Sequence, residues 1–344
     1  MSKKLFSITF IIFLTLVACS KEIIENSPLN DEVIKKLQGA KVIEDIFHKS
    51  DQIKLSLTPE SSFGYITDLE VDSLGNFLIA DGWLTRQVYI FSAQGQFLQI
   101  LGKKGFGPGE YLTPVSIEID KAGQIWIADY NNNKVNVYDS DYKFIKAITF
   151  KPRIKYYLHL NSKGWIYLYL GQLSMGNKTI DLIYLYNNQG QLIKSFAPLL
   201  QEVKDINFSV VQDGMVIDRD DFIYEMSPIY YKIRKYDAEG TLIKSFPPEP
   251  IDFRLDRKKP LILNGPFYLE AGLILAQIKQ RIDFYDTEGN FLVSLPLDSK
   301  VTAAKGNTLY VLKEDSEEEM LVSNPNIIGY ELKIQKAIFS NAKK

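Results

Sequence analysis

Five tight bends recur along this chain at an interval close to fifty residues. Successive bends are 47, 48, 50 and 49 residues apart, counted between Gly95, Tyr142, Gly190, Gly240 and Gly289. Each bend joins two apolar segments of strand length, and glycine at four of the five positions tolerates the positive φ that a tight hairpin needs. A strand-rich period of about 40 to 50 residues indicates the blades of a β-propeller or a similar array.

A second pattern precedes the bends and is clearest in its first two copies. Residues 66–81 and 116–129 each read as a short strand, an Asp-x-x-Gly turn and a second strand that ends in Ala-Asp. Weaker copies start near residues 161, 218, 270 and 305, so the chain has six starts but five complete endings. We therefore predict an all-β fold, a six-bladed β-propeller whose ring is closed by an N-terminal strand.

Two early segments could supply the strand that closes the ring, namely Val42 to Ile46 and Ile53 to Leu57. The strand beside it in the last blade is expected within Ile327 to Ile334. Closure of this kind joins the two ends of the chain and leaves no blade incomplete.

The first nineteen residues have the layout of an export signal. Lys3 and Lys4 precede an apolar run from Leu5 to Ala18, which is too short to cross a bilayer comfortably as a helix. The stretch Leu-Val-Ala-Cys that ends at Cys19 resembles the lipobox of bacterial lipoproteins, and Cys19 is the only cysteine of the chain. We therefore expect Cys19 to be lipidated and the protein to be anchored in the bacterial cell envelope, with the membrane and its face left open.

These patterns divide the chain into four parts. We expect a signal peptide at residues 1–18, a lipidated tether at 19–50, the propeller at 51–338 and a C-terminal tail at 339–344. A short helix is expected within the tether, from Asp31 to Gln38. The 40 basic and 42 acidic residues nearly balance, so the chain has no basic surface for nucleic acid.

The segment from Leu101 to Phe144 resembles the NHL repeat. Its glycine-rich stretch, Gly102 to Glu110, and its strand ending, Ile127 to Val135, match the corresponding parts of that repeat. The chain from about Gln52 to Ile338 is similar to the six-bladed propeller lipoproteins of bacterial envelopes. This resemblance implies an NHL- or TolB-like propeller.

Blade topology indicates which loops would bind a ligand. In a blade of strands A to D, the A–B and C–D turns lie on one face, and the B–C and D–A loops lie on the other. The turns are uniformly tight in this sequence, whereas the loops are long and varied, as ligand-binding loops usually are. Their aromatic, amide and charged side chains suit a glycan or a peptide. The candidate binding residues are Trp83, Arg86, Phe106, Glu110, Tyr111, Tyr130, Asn132, Tyr157, Tyr230 and Arg254.

One enzymatic alternative is based on a second resemblance. Six-bladed lactonases of the gluconolactonase and paraoxonase type bind Ca²⁺ in the central channel, where the metal polarises a carbonyl group. The comparable positions of this sequence are Asp68, Glu70, Glu118, Asn161 and Glu270.

Other catalytic centres lack the residues that they need. His48 and His159 are the only histidines, which disfavours a zinc centre, a Ser-His-Asp arrangement and the histidine-dependent chemistry of the NHL-like amidating lyase. We expect His48 in the tether and His159 on the channel wall without a chemical role. The resulting hypothesis is a lipid-anchored binding or scaffolding module for a glycan, a peptide or an envelope protein, with a calcium-dependent lactonase as the alternative.

Overall fold

Six antiparallel sheets surround a central channel in the computed structural model of the chain. The innermost strand of each sheet contacts the innermost strands of both neighbouring sheets, and the sixth sheet contacts the first. The ring is therefore closed, and the expected six-bladed propeller is confirmed. The structure describes residue 29 and residues 31–56, 66–151, 157–170, 180–203, 213–227, 230–246, 263–313 and 326–333.

The strands follow the chain from the N-terminal side. The first two are β1 (Phe47–Lys49) and β2 (Ile53–Lys54). Blade 1 contains β3 (Asp68–Val71), β4 (Phe77–Asp81), β5 (Gln87–Phe91) and β6 (Phe97–Leu101). A small parallel pair follows, formed by β7 (Lys103–Lys104) and β8 (Glu110–Tyr111). Blade 2 contains β9 (Pro114–Ile119), β10 (Ile125–Asp129), β11 (Lys134–Tyr138) and β12 (Phe144–Thr149).

The other four blades repeat this order. Blade 3 contains β13 (Tyr157–Leu160), β14 (Ile166–Tyr169), β15 (Asp181–Tyr186) and β16 (Leu192–Pro198). Blade 4 contains β17 (Met215–Ile217), β18 (Ile223–Met226), β19 (Ile233–Tyr236) and β20 (Leu242–Phe246). Blade 5 contains β21 (Leu263–Leu269), β22 (Leu273–Ile278), β23 (Arg281–Asp286) and β24 (Phe291–Pro296). Blade 6 contains β25 (Lys300–Lys305), β26 (Thr308–Lys313) and β27 (Asn326–Leu332), together with β1 and β2.

The apolar core lies between neighbouring blades. Leu78 and Ile90 of blade 1, for example, are fully buried against Ile117 and Ile127 of blade 2. Removing one such side chain from water contributes about 2 kcal/mol to folding. Each blade thus has two apolar faces that only the adjacent blades can cover, which explains why the sheets form a closed ring.

The five recurring bends have the backbone that their sequence predicted. The φ angle is +82° at Gly95, +65° at Tyr142, +77° at Gly190, +78° at Gly240 and +80° at Gly289. At Gly240, the N–H donates to the Asp237 carbonyl over 2.9 Å, and this hydrogen bond closes the turn between the third and fourth strands. The fifty-residue period is therefore the length of one blade.

The strand that closes the ring differs partly from the expectation. Both β1 and β2 pair antiparallel with β27, so Ile53 is confirmed as part of the closing segment and the strand expected within Ile327 to Ile334 is also confirmed. The other candidate, Val42 to Ile46, was wrong because residues Ile43–Asp45 form a 3-10 helix. The Asp45 carboxylate accepts hydrogen bonds from the N–H groups of Lys41 and Val42, which stabilises this turn.

The segment before β1 packs onto the propeller. Helix α1 (Asp31–Gly39) confirms the helix expected there, and its Val33 and Leu37 are buried in the cluster formed by blades 5 and 6. The folded part of the chain therefore begins before residue 51, where the propeller was expected to start. Helix α1 buries its apolar face against the blades, and β1 pairs with β27. No helix among the described residues is long and apolar enough to cross a membrane.

Candidate functional site

Two buried aspartates organise the loops of blades 1 and 2. Asp129, at the end of β10, accepts hydrogen bonds from the N–H groups of Leu112 and Thr113, each over 3.0 Å, and from the side chain of Asn132 over 2.6 Å. Asp81 holds the equivalent place in blade 1 and accepts a hydrogen bond from the N–H of Leu84 over 2.9 Å. The repeated Ala-Asp ending therefore has a structural role, which is to fix the loop that follows the second strand.

The glycine-rich loop between β6 and β9 is held from several sides. Asn132 donates to the carbonyl of Gly105 over 3.1 Å, and Lys134 donates to the carbonyl of Gly107 over 2.9 Å. The Glu110 carboxylate accepts the N–H of Gly107 over 2.9 Å and forms an ion pair with Lys103 over 3.1 Å. The hydrogen bond from the N–H of Gly107, followed by the contact with Lys103, holds the pKa of Glu110 below its usual range.

Phe106 lies in the middle of this anchored loop and is 78% exposed. On the neighbouring loops, Trp83 packs edge-on against Tyr130, with ring centroids 5.3 Å apart, and remains 39% exposed. Leu84 beside Trp83 is 55% exposed. We call Trp83, Leu84 and Phe106 the apolar patch. All three belong to B–C or D–A loops of blades 1 and 2, so the patch lies on the face that topology assigned to ligand binding.

The other expected loop residues have varied surroundings. Tyr111 is fully buried in the cluster between blades 1 and 2, and Tyr157 is 6% exposed in the cluster between blades 3 and 4. Tyr157 also lines a cavity of the central channel, and a ligand-binding role for either tyrosine stays a prediction. Arg86 and Tyr230 are partly exposed, and Arg86 has a φ of +59° in the tight B–C loop of blade 1. Arg254 and Cys19 lie outside the described residues.

Two cavities lie along the central channel, one toward the loop face and one toward the turn face. Their volumes are about 210 Å³ and about 290 Å³. Among the described residues, six line both cavities and form what we call the waist of the channel, one from each blade: Glu70, Glu118, His159, Val216, Tyr268 and Ala304. In every blade the waist residue stands two positions before the first residue of the A–B turn.

His159 connects three blades at the waist. Its Nδ1 atom lies 3.0 Å from Oε1 of Glu118 in blade 2, and its Nε2 atom lies 2.9 Å from Oδ2 of Asp213, which precedes β17 of blade 4. Burial alone would lower the pKa of His159, but the Asp213 and Glu118 carboxylates hold it well above its usual range. The imidazolium form is therefore the stable one, and neither ring nitrogen is free to accept a proton from a substrate.

Two carboxyl groups of blade 1 face the same region. Burial raises the pKa of Asp68 to about 7, although its carboxylate accepts the N–H groups of Ile117 over 2.7 Å and of Leu69 over 2.8 Å. Burial also raises the pKa of Glu70 to about 8, against the opposing effect of Lys305, whose Nζ lies 3.7 Å from Oε2 of Glu70. In both groups burial favours the protonated form.

Four of the five residues compared with a calcium-binding lactonase have other partners or lie at an exposed turn. The Asp68 carboxylate is engaged by backbone N–H groups, and Glu118 is engaged by His159. The Asn161 side-chain oxygen accepts the N–H groups of Lys163 and Trp165 at the A–B turn, and Glu270 is exposed at the turn after β21. No group of three or more acidic, histidine or cysteine side chains in the described part of the chain is arranged to hold a metal ion.

Sequence reasoning missed one member of the channel cluster, Asp213, and the contacts of another. His159 lies on the channel wall, as expected, and both of its ring nitrogens form ion pairs. Asp213 was not considered because it stands before the short strand β17 rather than within a repeat motif. The sequence did indicate that His159 lies near Glu70 and Glu118, because all three stand two positions before the A–B turn of their blade.

Two curated proteins that are similar to this chain are an NHL repeat-containing protein and an amidating monooxygenase. NHL repeat-containing protein 3 from Homo sapiens is 33% identical over 88 residues, covering 25% of this chain and 25% of that protein. Peptidyl-glycine alpha-amidating monooxygenase B from Xenopus laevis is 27% identical over 142 residues, covering 38% of this chain and 16% of that protein. This chain thus spans a quarter or less of the length of these relatives.

Three solved structures of bacterial proteins are similar to this chain. A Bacteroides fragilis NCTC 9343 protein described as exported has a TM-score of 0.62 at 13% identity, covering 86% of this chain and 97% of that chain. A duf4221 family member from Bacteroides vulgatus has a TM-score of 0.57 at 8% identity, covering 83% and 97%. Virginiamycin B lyase from Staphylococcus aureus has a TM-score of 0.52 at 13% identity, covering 81% and 83%.

At these identities the solved structures establish the fold alone. Family membership is shown by a different comparison, because the model of a domain of unknown function, DUF4934, matches residues 25–247 and so more than half of the chain. The chain, a six-bladed propeller with NHL-repeat relatives, belongs to the DUF4934 family.

Proposed function

We propose that this protein is a lipid-anchored envelope module that binds a polypeptide partner through the apolar patch of blades 1 and 2. The observation that carries the proposal is the exposure of Phe106, at 78%, in a loop whose backbone is held by Asn132, Lys134 and Glu110. A large apolar side chain that is exposed on a fixed backbone costs less entropy to bury against a partner than one on a mobile loop.

The composition of the patch favours a protein surface over other occupants. Trp83 and Phe106 are residue types that dominate binding energy at protein interfaces, and Leu84 adds an aliphatic surface that a sugar ring would not need. Lys103 and Lys104 are exposed in the loop that carries Phe106 and would add charge beside it. An apolar centre with a charged rim is the usual anatomy of a transient interface.

The amino-terminal residues support the proposed location. Lipidation at Cys19 would hold the propeller on a membrane surface, where a partner in the envelope can reach its loop face. The description of the Bacteroides fragilis protein of the same fold as exported agrees with this location.

A binding comparison tests the proposal. Phe106→Ala and Trp83→Ala are each measured against an array of peptides from envelope proteins and against a glycan panel. Leu74→Ala is the matched control, because Leu74 is 76% exposed on the opposite, turn face. The proposal predicts peptide binding that both patch variants weaken by about tenfold or more and that Leu74→Ala leaves unchanged. Binding of glycans alone, or equal losses in all three variants, would refute it.

A further inference from the structure

Positive charge is concentrated at the surface of the three loops that carry and support the apolar patch. These loops are residues 82–86, 102–113 and 130–133, and the structure describes all of them. Their acidic and basic side chains that reach the surface are Arg86, Lys103, Lys104 and Glu110. Cations thus prevail in these loops, although the chain as a whole has a net charge of -2.

The charged residues at the base of the loops are buried. Asp81 and Asp129 are fully buried, and their carboxylates accept N–H groups of the loops. Lys134 is also buried, and its Nζ donates to the carbonyls of Phe106 over 3.3 Å and Gly107 over 2.9 Å. With these three included, four cations still outnumber three anions, and a partner would meet the exposed cations first.

One exposed lysine of the Phe106 loop is paired and the next is not. The Lys103 ammonium lies 3.1 Å from Oε1 of Glu110, whose Oε2 accepts the N–H of Gly107, the neighbour of Phe106. The positive charge of Lys103 therefore lies beside the backbone that presents Phe106. Lys104 is exposed and forms no ion pair with any residue that the structure describes.

Arg86 brings a third cation to the loop of Trp83. It has a φ of +59° immediately before β5, and Asn133 has a φ of +52° immediately before β11, so the two residues are equivalent. Asparagine adopts this left-handed backbone more readily than arginine does. Arg86 is partly exposed and, like Lys104, has no ion-pair partner in the described part of the chain.

We propose that the segment bound by the apolar patch is acidic beside its apolar core, with carboxylates that pair with Arg86 and Lys104. This inference rests on the proposed function, since it names the chemistry of the polypeptide partner. Both cations can gain a partner on binding without losing an ion pair within the described structure. Complementary charge of this kind accelerates association and selects among partners.

A charge-swap experiment with peptides tests the inference. Each peptide that binds in the array is resynthesised in three versions, in which the residues beside the apolar core are all glutamate, all glutamine or all lysine. We expect the glutamate version to bind about fivefold tighter than the glutamine version, and the lysine version to bind most weakly. This preference should largely disappear in 1 M salt, where the Debye length is about 3 Å.

Two variants assign the preference to the unpaired cations. Lys104→Glu should abolish or reverse it. Arg86→Asn introduces the residue that blade 2 has at the equivalent position, so it should weaken binding of the glutamate version by about threefold without lowering the thermal stability. Lys121→Glu, on an exposed turn of blade 2, is the matched control and should leave the preference unchanged.

The outcomes separate this inference from the proposed function. Equal binding of the three peptide versions, all weakened by Phe106→Ala, would overturn the acidic partner and leave binding through the apolar patch intact. Binding of no peptide would overturn both. Vesicles of phosphatidylglycerol are the further arm of the test, and their binding in place of peptides, weakened by Lys104→Glu, would assign the cations to a membrane surface and overturn the inference.

Discussion

The Nδ1 atom of His159 lies 3.0 Å from the Oε1 atom of Glu118 on the neighbouring blade. The other ring nitrogen is bound to Asp213, so a single imidazolium joins the innermost parts of blades 2, 3 and 4. The histidine thereby offsets two carboxylates that would otherwise repel each other across the channel. Its role in the described structure is electrostatic, since neither nitrogen is available for general base catalysis.

Replacing His159 should destabilise the propeller in a pH-dependent way. The raised pKa means that the folded state binds the proton more tightly, so the contribution is fully present below the unfolded pKa of about 6.5 and is lost as pH rises through the folded value. His159→Gln should lower the free energy of unfolding by about 2 kcal/mol at pH 6 and by less at pH 9. Urea unfolding at both pH values measures this.

The second histidine provides the control for that experiment. His48→Gln alters an exposed residue of β1 and should change the stability by less than about 0.5 kcal/mol at either pH. Equal losses for both variants, or a loss for His159→Gln that grows with pH, would contradict the bridging role.

Replacing Glu70 by glutamine should stabilise the propeller at alkaline pH. Burial raises the pKa of Glu70 to about 8, so the folded state holds a proton that the unfolded state releases near its ordinary pKa. Stability therefore falls as pH rises from about 4.5 to 8, and Glu70→Gln should remove that penalty. We expect a gain of about 2 kcal/mol above pH 8 and almost no change at pH 4.

Thermal unfolding at the two pH values measures this gain, with the exposed Glu331→Gln as the control. A loss of stability at pH 8 would show that the Glu70 carboxylate is stabilised by contacts stronger than the ion pair with Lys305.

Removing the Asn132 side chain should loosen the loop that carries Phe106. Asn132 ties that loop to Asp129 through the carbonyl of Gly105. We expect Asn132→Ala to accelerate amide exchange in residues 102–111 by about tenfold, since it removes about 1.4 kcal/mol of local protection. Asn76→Ala removes an equivalent side-chain hydrogen bond on the turn face and should leave this loop unchanged. Equal exchange in both variants would show that other contacts hold the loop.

Two glycines distinguish backbone strain from steric conflict in the repeated turns. Gly164 and Gly240 both have a positive φ, but a Cβ at Gly164 would meet nothing within 4 Å, whereas one at Gly240 would lie 2.5 Å from the ring of Phe196. Gly164→Ala should therefore cost about 1 kcal/mol, and Gly240→Ala clearly more, about 3 kcal/mol. Denaturant unfolding compares the two, and equal losses would contradict tight packing of the bend against blade 3.

The fold could be predicted because the turns of each blade depend on residues that are adjacent in the sequence. A bend such as Gly240 and a turn such as the one at Asp120, whose carboxylate accepts the N–H groups of Ala122 and Gln124, can be recognised from a few adjacent residues. The closing strand was harder to place, since pairing of Phe47 with Leu332 joins residues from opposite ends of the chain. The 3-10 turn at Ile43–Asp45 is stabilised by hydrogen bonds from the N–H groups of Lys41 and Val42 to the Asp45 carboxylate, which a strand pattern does not reveal.

The site could be predicted only in part, because loop position does not determine burial. Phe106 and Tyr111 belong to the same glycine-rich loop, yet one is 78% exposed and the other is fully buried. The link between His159 and Asp213 likewise spans two blades, so no local pattern contains it. Contacts between blades determine both the burial of these loop residues and the pairing of His159 with Asp213.

Changing the only cysteine tests the proposed anchor. Cys19→Ala should move the protein from the membrane fraction to the soluble fraction, because a lipid chain would no longer hold it. Cell fractionation with immunodetection measures this, and Cys19→Ser should behave in the same way. Unchanged membrane retention of both variants would refute lipid anchoring.

Site-specific photo-crosslinking in intact cells tests the proposed binding role most directly. A photoreactive phenylalanine analogue replaces Phe106 in one strain and Leu74 in a control strain. We expect a discrete adduct with a single polypeptide from position 106 that Trp83→Ala weakens, and no such adduct from position 74. Identical adducts from both positions, or none from position 106, would contradict binding through the apolar patch.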